Sequence, residues 1–262
     1  MTEPQTVADP TLPHESAQER AAREELTDLL LRSPIPPSYL LDSVSLYLRR
    51  HQVVDLLSMD ALYRMSMPVP GVIMEFGVFH GRHLATFTAL RSIHEPYNST
   101  RRIVGFDTFS GFPDVVELDR VSPSASVGRF ATPEGYVQHL RDVLAAHESL
   151  DPLAHIQRSH VIEGDVRTTV PAYLAENPQT VVSLAYFDLD IYEPTLATLD
   201  AIAPYLTVGS ILAFDEIAHP KWPGETVAVR ERLGDAGLEL RMLEIQGREA
   251  PIAYARWPGG RR

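Results

Sequence analysis

The chain is predicted to fold as an α/β protein with a doubly wound, mostly parallel sheet, helices on both faces and an N-terminal helical extension. Three observations predict it. Five short apolar runs alternate with helical stretches from residue 71 onward. Four of those runs end in, or just before, an acidic residue: Asp107, Asp165, Asp188 and Asp215, with Glu75 near the end of the remaining one. The last two strand-like runs are joined only by Gln246, Gly247, Arg248 and Glu249, which makes them an antiparallel closing hairpin.

Residues 1–15 read as loosely attached. Residues 16–32 are rich in helix formers, and Ser16 with Glu19 matches a capping box. Ser33 to Pro37 (SPIPP) ends that helix. Residues 38–65 read as one or two helices carrying Leu40, Leu41, Val44, Leu46, Leu48, Val53, Leu56, Leu57 and Leu62. Pro68 and Pro70 close this part, so the expected division is a helical extension or lid over 1–68 and a Rossmann-like domain over 69–262. Within the domain, the strands are predicted at 71–77, 102–107, 160–165, 181–188 and 209–215, with closing strands at 238–246 and 250–257. Helices are predicted at 81–93, 133–148, 168–176, 193–205 and 224–236. Thr132 is the expected N-cap of the second of these, with Pro133 at its first position. Residues 108–132 have no regular pattern.

Composition narrows the function. Asp plus Glu number 35 against 23 Lys plus Arg, a formal charge of −12. Such a chain repels a polyphosphate backbone, so nucleic acid is not an expected partner. There is no cysteine, which excludes disulfides, thiolate metal sites and thiol nucleophiles. No secretory signal and no apolar run of membrane-spanning length is seen, so a cytoplasmic protein that does not enter a membrane is expected.

Ligands of open α/β sheets bind beyond the carboxyl ends of the strands. The segment Glu75-Phe76-Gly77-Val78-Phe79-His80-Gly81-Arg82 follows the first strand there. Gly77 and Gly81 allow a tight turn and a close approach to a ligand, and the helix N-terminus after them favours an anion. The full GxGxxG spacing of a dinucleotide site is missing, which favours the carboxylate of S-adenosylmethionine over a pyrophosphate. Arg82 either pairs with that carboxylate or is a solvated helix residue. Asp107 either accepts hydrogen bonds from a ribose diol or caps a turn. Asp165 either receives the adenine amino group or caps the next helix.

The acids Asp188, Asp190, Asp215 and Glu216 form the densest constellation. If the fourth and fifth strands are neighbours, Asp188 and Asp215 reach one ion and Glu216 adds an oxygen. Hard oxygen donors without cysteine suit Mg²⁺, with Mn²⁺ or Ca²⁺ as alternatives. Asp190 is a ligand, a supporting group or a helix cap. A bound cation would lower the pKa of a sugar hydroxyl, and Asp188 would accept its proton, with His219 as the alternative base. Trp222 and Tyr192 are candidates to pack an acceptor.

Four runs of the chain, EFGVFHG from Glu75, FDTFSGFP from Phe106, DLDIYEPT from Asp188 and GSILAFDE from Gly209, resemble the macrocin O-methyltransferase family. The resemblance spans about residues 50 to 257 and implies a class I methyltransferase sheet, S-adenosylmethionine, Mg²⁺ and a homo-oligomer. It also implies a deoxysugar hydroxyl as acceptor, free or nucleotide-linked, in antibiotic biosynthesis. By resemblance Asp188, Asp215 and Glu216 fall on the metal ligands, Asp188 on the general base and Asp107 on the ribose-binding acid. The family usually carries Asp-Asp where this chain has Asp215-Glu216, and the loop IAHPKWPG from Ile217 also departs from it. Two rival readings use the same core: a metal-dependent hydroxylase- or hydrolase-like enzyme, and a non-catalytic cofactor-binding scaffold.

Overall fold

The structure, a computed structural model, describes residues 16–234, 237–245, 247–248 and 250–259. The prediction for residues 1–15, and Gln246 and Glu249 of the closing turn, lie outside the described residues. The chain divides into two compact units, Met1–Val53 and Val54–Arg262.

The first unit holds α1 (Ala17–Leu31), α2 (Pro37–Leu40), a 3-10 turn (Val44–Tyr47) and the start of α3 (Arg50–Ser66). The capping box forms: the Ser16 hydroxyl accepts from the Glu19 amide at 3.2 Å, and the Ser16 amide donates back to Glu19 at 2.9 Å. Within this unit the Tyr47 hydroxyl meets the Ser33 hydroxyl at 2.9 Å.

The second unit is a seven-stranded sheet. In chain order it runs β1 (Val72–Phe76), α4 (Arg82–His94), β2 (Ile103–Asp107), α5 (Tyr136–Ser149), β3 (Ser159–Glu163), α6 (Val166–Glu176), β4 (Val182–Phe187), α7 (Tyr192–Ile202), β5 (Leu206–Phe214), α8 (Pro223–Leu233), β6 (Arg241–Met242) and β7 (Ala253–Arg256). The strand order is β3-β2-β1-β4-β5-β7-β6. Strands β1 to β5 are parallel, and β7 is antiparallel to both β5 and β6. The order reverses between β1 and β4, which opens a crevice at their carboxyl ends.

Period-two alternation sends successive side chains to opposite faces. Ile73, Ile103, Leu184, Tyr186 and Ile211 pack with Met59, Leu62, Leu84, Phe87, Leu140 and Leu144 on the face covered by α3, α4 and α5. Met74, Phe76, Val104, Phe106, Phe187 and Phe214 pack with Val170, Leu174, Leu199, Ile202 and Val229 on the face covered by α6, α7 and α8. Glu75 shares the first face with Ile73, so a carboxylate enters that core from the strand nearest the crevice.

Some boundaries differ from the prediction. Helix α5 begins at Tyr136 with Gly135 before it, not at Pro133. The amide and hydroxyl of Thr132 both donate to the Phe109 carbonyl, so Thr132 closes the 108–132 loop instead of capping the helix. That loop contains a short 3-10 turn (Asp119–Val121) and a bridge between Ser110 and Ala131. The closing strands are shorter than expected, and β5 begins three residues earlier. Among the described residues no helix is long and apolar enough to cross a membrane.

Candidate active site

The register places the acidic strand ends side by side. Phe76 pairs with Phe187 and Phe187 with Phe214, so Gly77, Asp188 and Asp215 follow at neighbouring strand ends. The Asp188 amide donates to the Phe76 carbonyl at 2.8 Å, and the Asp215 amide to the Phe187 carbonyl at 3.1 Å. Gly77 is required here by the protein's own backbone. Its φ is +88°, and a Cβ would stand 1.8 Å from the Asp188 carbonyl oxygen. The close approach that demands glycine is to the end of β4. At Gly81, φ is +76° and a Cβ would press on Leu140.

Backbone strain gathers at the same edge. Phe79, Phe109, Asp190 and Ala218 are non-glycine residues with φ between 47° and 62°, in the loops after β1, β2, β4 and β5. Such conformations cost of order 1–3 kcal/mol each and cluster at functional sites.

Each predicted cofactor residue is placed. Asp107 receives three backbone amides, from Val78 and Phe79 at 2.7 Å each and from Phe109 at 2.6 Å, so its carboxylate ties the β1 loop to the β2 loop. Asp165 caps α6 through the Arg167 amide at 2.9 Å and pairs with the Arg167 guanidinium, which holds its pKa down despite partial burial. Arg82 reaches Asp55 on α3 at 3.1 Å and donates through Nε to His83 Nε2 at 3.0 Å. That bond fixes the tautomer: with Nε2 accepting, the buried neutral His83 carries its proton on Nδ1. Nδ1 lies 3.8 Å from both Glu75 Oε1 and Asp188 Oδ2. Glu75 is fully buried, and its Oε2 has no hydrogen-bond partner. Burial first, then the charges of Asp188 and Asp107, push its pKa well up.

The acids of β4 and β5 crowd together with Glu225 of α8. The Glu225 Oε1 accepts from the Glu216 amide at 2.9 Å. The remaining oxygens, Oε2 of Glu225 and Oε2 of Glu216, are buried without hydrogen-bond partners. Burial and mutual repulsion raise Asp188 and Glu225 well above ordinary carboxylates, Asp190 to about 7 and Glu216 to about 10. Asp215 is differently situated. Arg248 Nη2 lies 2.6 Å from both of its oxygens, and the Tyr186 hydroxyl donates to Oδ1. Arg248 Nη1 contacts Asp55 at 2.5 Å. His219 Nδ1 accepts from the Lys221 amide and lies 3.6 Å from Glu216 Oε2.

The structure thus brings Asp188, Asp215, Glu216 and His219 to one edge as the sequence implied, and adds Arg248, Asp55, His83, Tyr186 and Glu225. Asp190 joins the acids with φ +61°, immediately before α7. Phe112, Phe130 and Trp222 stack edge-on or tilted at centroid separations of 5.3 to 6.3 Å, an aromatic cluster that includes the predicted Trp222. Tyr192 instead directs its hydroxyl to Glu231 at 2.5 Å.

The methyltransferase domain family matches residues 74–217, from the first crevice strand to just beyond the β5 acids. The chain belongs to the methyltransferase family. Two solved structures of one protein cover 93% of the chain. One, titled CalS11, calicheamicin methyltransferase, is 62% identical with a TM-score of 0.89 and 94% of that chain covered. The other, described as the apo form of a TDP-rhamnose 3′-O-methyltransferase of calicheamicin biosynthesis, is 57% identical with a TM-score of 0.81 and 96% covered. The O-methyltransferase NovP, 20% identical over 79% of this chain and 80% of its own, shares the fold with a TM-score of 0.62. No curated protein matches the chain. The methyltransferase is therefore an enzyme, an S-adenosylmethionine-dependent O-methyltransferase.

Proposed function

We propose that this methyltransferase methylates a hydroxyl of a nucleotide-linked deoxysugar in antibiotic biosynthesis, with the 3′-hydroxyl of TDP-rhamnose as acceptor and a divalent cation, Mg²⁺ first, as helper. The observation that carries the acceptor is the 57% identity over 93% of the chain to a TDP-rhamnose 3′-O-methyltransferase.

The residues fit the cofactor. Glu75 presents an unpartnered oxygen near the end of β1, and Gly77, Gly81 and Arg82 frame the loop that follows. Asp107 faces the ribose and Asp165 the adenine in this reading, beside their present backbone partners. The cofactor supplies an electrophilic methyl group on sulfur. When bound, it would give that methyl to the acceptor oxygen and keep the carbon–sulfur electron pair, while Asp188, or His219 as the alternative base, would accept the hydroxyl proton. The products are the methyl ether and S-adenosylhomocysteine.

The donor set also fits a hard cation. Among the described residues no group of three acids or histidines is already gathered around one point. Yet Glu216 and Glu225 hold buried, unpartnered oxygens, and burial with the like charges of Asp215 and Asp190 pushes the Asp188 pKa well up. Asp188, Asp215 and Glu216 would hold the ion, which would lower the pKa of an acceptor hydroxyl. A cation there would offset the like charges that raise the Asp188 pKa. The helical extension over residues 1–68 and the 108–132 loop are assigned to a lid that excludes water, in a cytoplasmic homo-oligomer.

The test is a panel of TDP-deoxysugars assayed with methyl-labelled cofactor, with and without EDTA. TDP-rhamnose is expected to be labelled at its 3′-oxygen and EDTA to stop turnover until Mg²⁺ is added. Labelling of some other sugar in preference would overturn the acceptor, and full activity in EDTA would overturn the cation.

A further inference from the structure

We propose that Arg248 is a resident counter-ion of the acidic cluster, which a divalent cation displaces from Asp215 onto Asp55. This inference rests on the cation reading above.

The contacts leave little alternative for Asp215. Both of its oxygens lie 2.6 Å from one guanidinium nitrogen, and the arginine and aspartate side chains are 13% and 7% exposed. A small divalent ion takes carboxylate oxygens at ~2.0–2.1 Å. A guanidinium seated across both oxygens blocks its approach and repels a second cation, so the two cations compete for the same carboxylate.

The surroundings favour the exchange. Arg248 keeps a partner when it leaves, because its other terminal nitrogen already lies on Asp55 Oδ1. Asp55 can hold it without giving up Arg82, which uses the opposite oxygen. Asp215 also keeps its place, because the fully buried Tyr186 holds Oδ1 from within the sheet. A guanidinium is monovalent and flat, and among the described residues it pairs with Asp215 and Asp55. It leaves the buried Oε2 atoms of Glu216 and Glu225 unpartnered. A compact ion at the strand ends answers several oxygens at once. Arg248 then offsets part of the charge of the metal-free cluster without satisfying it.

Direct Mn²⁺ binding to the full-length enzyme, by electron paramagnetic resonance and calorimetry without cofactor or acceptor, tests this. Arg248→Met removes the competitor and is expected to tighten Mn²⁺ binding roughly tenfold, within the usual range of coupling between sites. Asp55→Asn removes the second seat of Arg248 and is expected to weaken it. The opposite signs are the signature. Circular dichroism checks folding, and Arg248→Lys, which loses the paired contact but keeps a charge, is expected to give a smaller tightening if the methionine variant does not fold. Unchanged or weaker binding by Arg248→Met, in an enzyme whose wild type binds Mn²⁺, overturns the counter-ion role alone. Absence of Mn²⁺ binding in the wild type and both variants overturns the counter-ion and the cation reading together.

Discussion

Beneath β3, Arg91 and Arg158 meet Glu148 and Asp151, while at the ends of β4 and β5 five carboxylates gather and Arg248 pairs with Asp215 among them. In the first region two cations face two anions. Arg91 reaches Glu148 at 3.1 Å and Asp151 at 3.3 Å, and Arg158 reaches Asp151 at 2.7 Å. The Arg158 amide donates to Glu148, and its guanidinium also donates to the Asn98 carbonyl. In the second region Asp188, Asp190, Asp215, Glu216 and Glu225 outnumber the arginine. Each region keeps two buried unpartnered atoms, Oε2 of Glu216 and Glu225 here and Nε of Arg91 and Arg158 there, so what separates them is the balance of charge. A balanced buried network fixes the packing of α4, α5 and β3. An unbalanced one raises the energy of the resting protein and is kept where a ligand can repay it.

The largest effect expected from this contrast is on catalysis. Asp188→Asn should lower the methyl-transfer rate by about 10²–10⁴-fold, the usual contribution of a positioned base. It should not lower thermal stability, because it removes one charge from a crowded set. Equal losses of rate and stability would place Asp188 with the structural network and break the distinction. The next effect falls on the balanced side. Arg158→Met leaves Asp151 and Glu148 with one arginine in a fully buried setting, and should cost about 3–5 kcal/mol in urea unfolding. A loss near zero there would mean that the two regions do not differ in kind.

The part of this contrast that can be read in the sequence is the part written in local pattern. The alternation of apolar runs and helices gave the parallel order, because each strand needs both faces covered. The acids at the strand ends gave the edge on which ligands gather. Asp188 and Asp215 become neighbours only if β4 and β5 pair, and the register confirms that they do. Arg248 was not legible: a single arginine in a presumed turn carries no signal until the hairpin lays it over Asp215. Asp55 sits on α3, far away in sequence, and looks like an ordinary polar helix position. Glu225 looks like a first-turn helix acid, and only burial against Glu216 sets it apart. Thr132-Pro133 imitates a helix start, yet the Phe109 carbonyl takes both the amide and the hydroxyl of the threonine. Local rules fail where one loop residue is recruited by another loop.

The smallest effect, and the one that probes charge most directly, is the pH dependence of stability in EDTA. A carboxyl whose pKa is raised by folding binds more protons in the native state than in the unfolded chain. Its contribution is therefore greatest at low pH and is lost as pH rises through the native value. For Asp190 that window runs from its ordinary 3.8 to about 7, and for Glu216 from 4.5 to about 10. Each group can contribute a slope of at most ~1.4 kcal/mol per pH unit. Stability of the metal-free enzyme should accordingly fall from pH 5 to pH 8. Asp190→Asn should flatten the decline below pH 7 and leave the part above it, where Glu216 still titrates. In the Arg91–Arg158 network Asp151 is paired with both arginines, so Asp151→Asn should lower the whole curve by leaving two buried cations with one carboxylate. A wild-type curve that rises between pH 5 and pH 8 would mean the β4–β5 acids are already compensated, and the imbalance that separates the two regions would disappear.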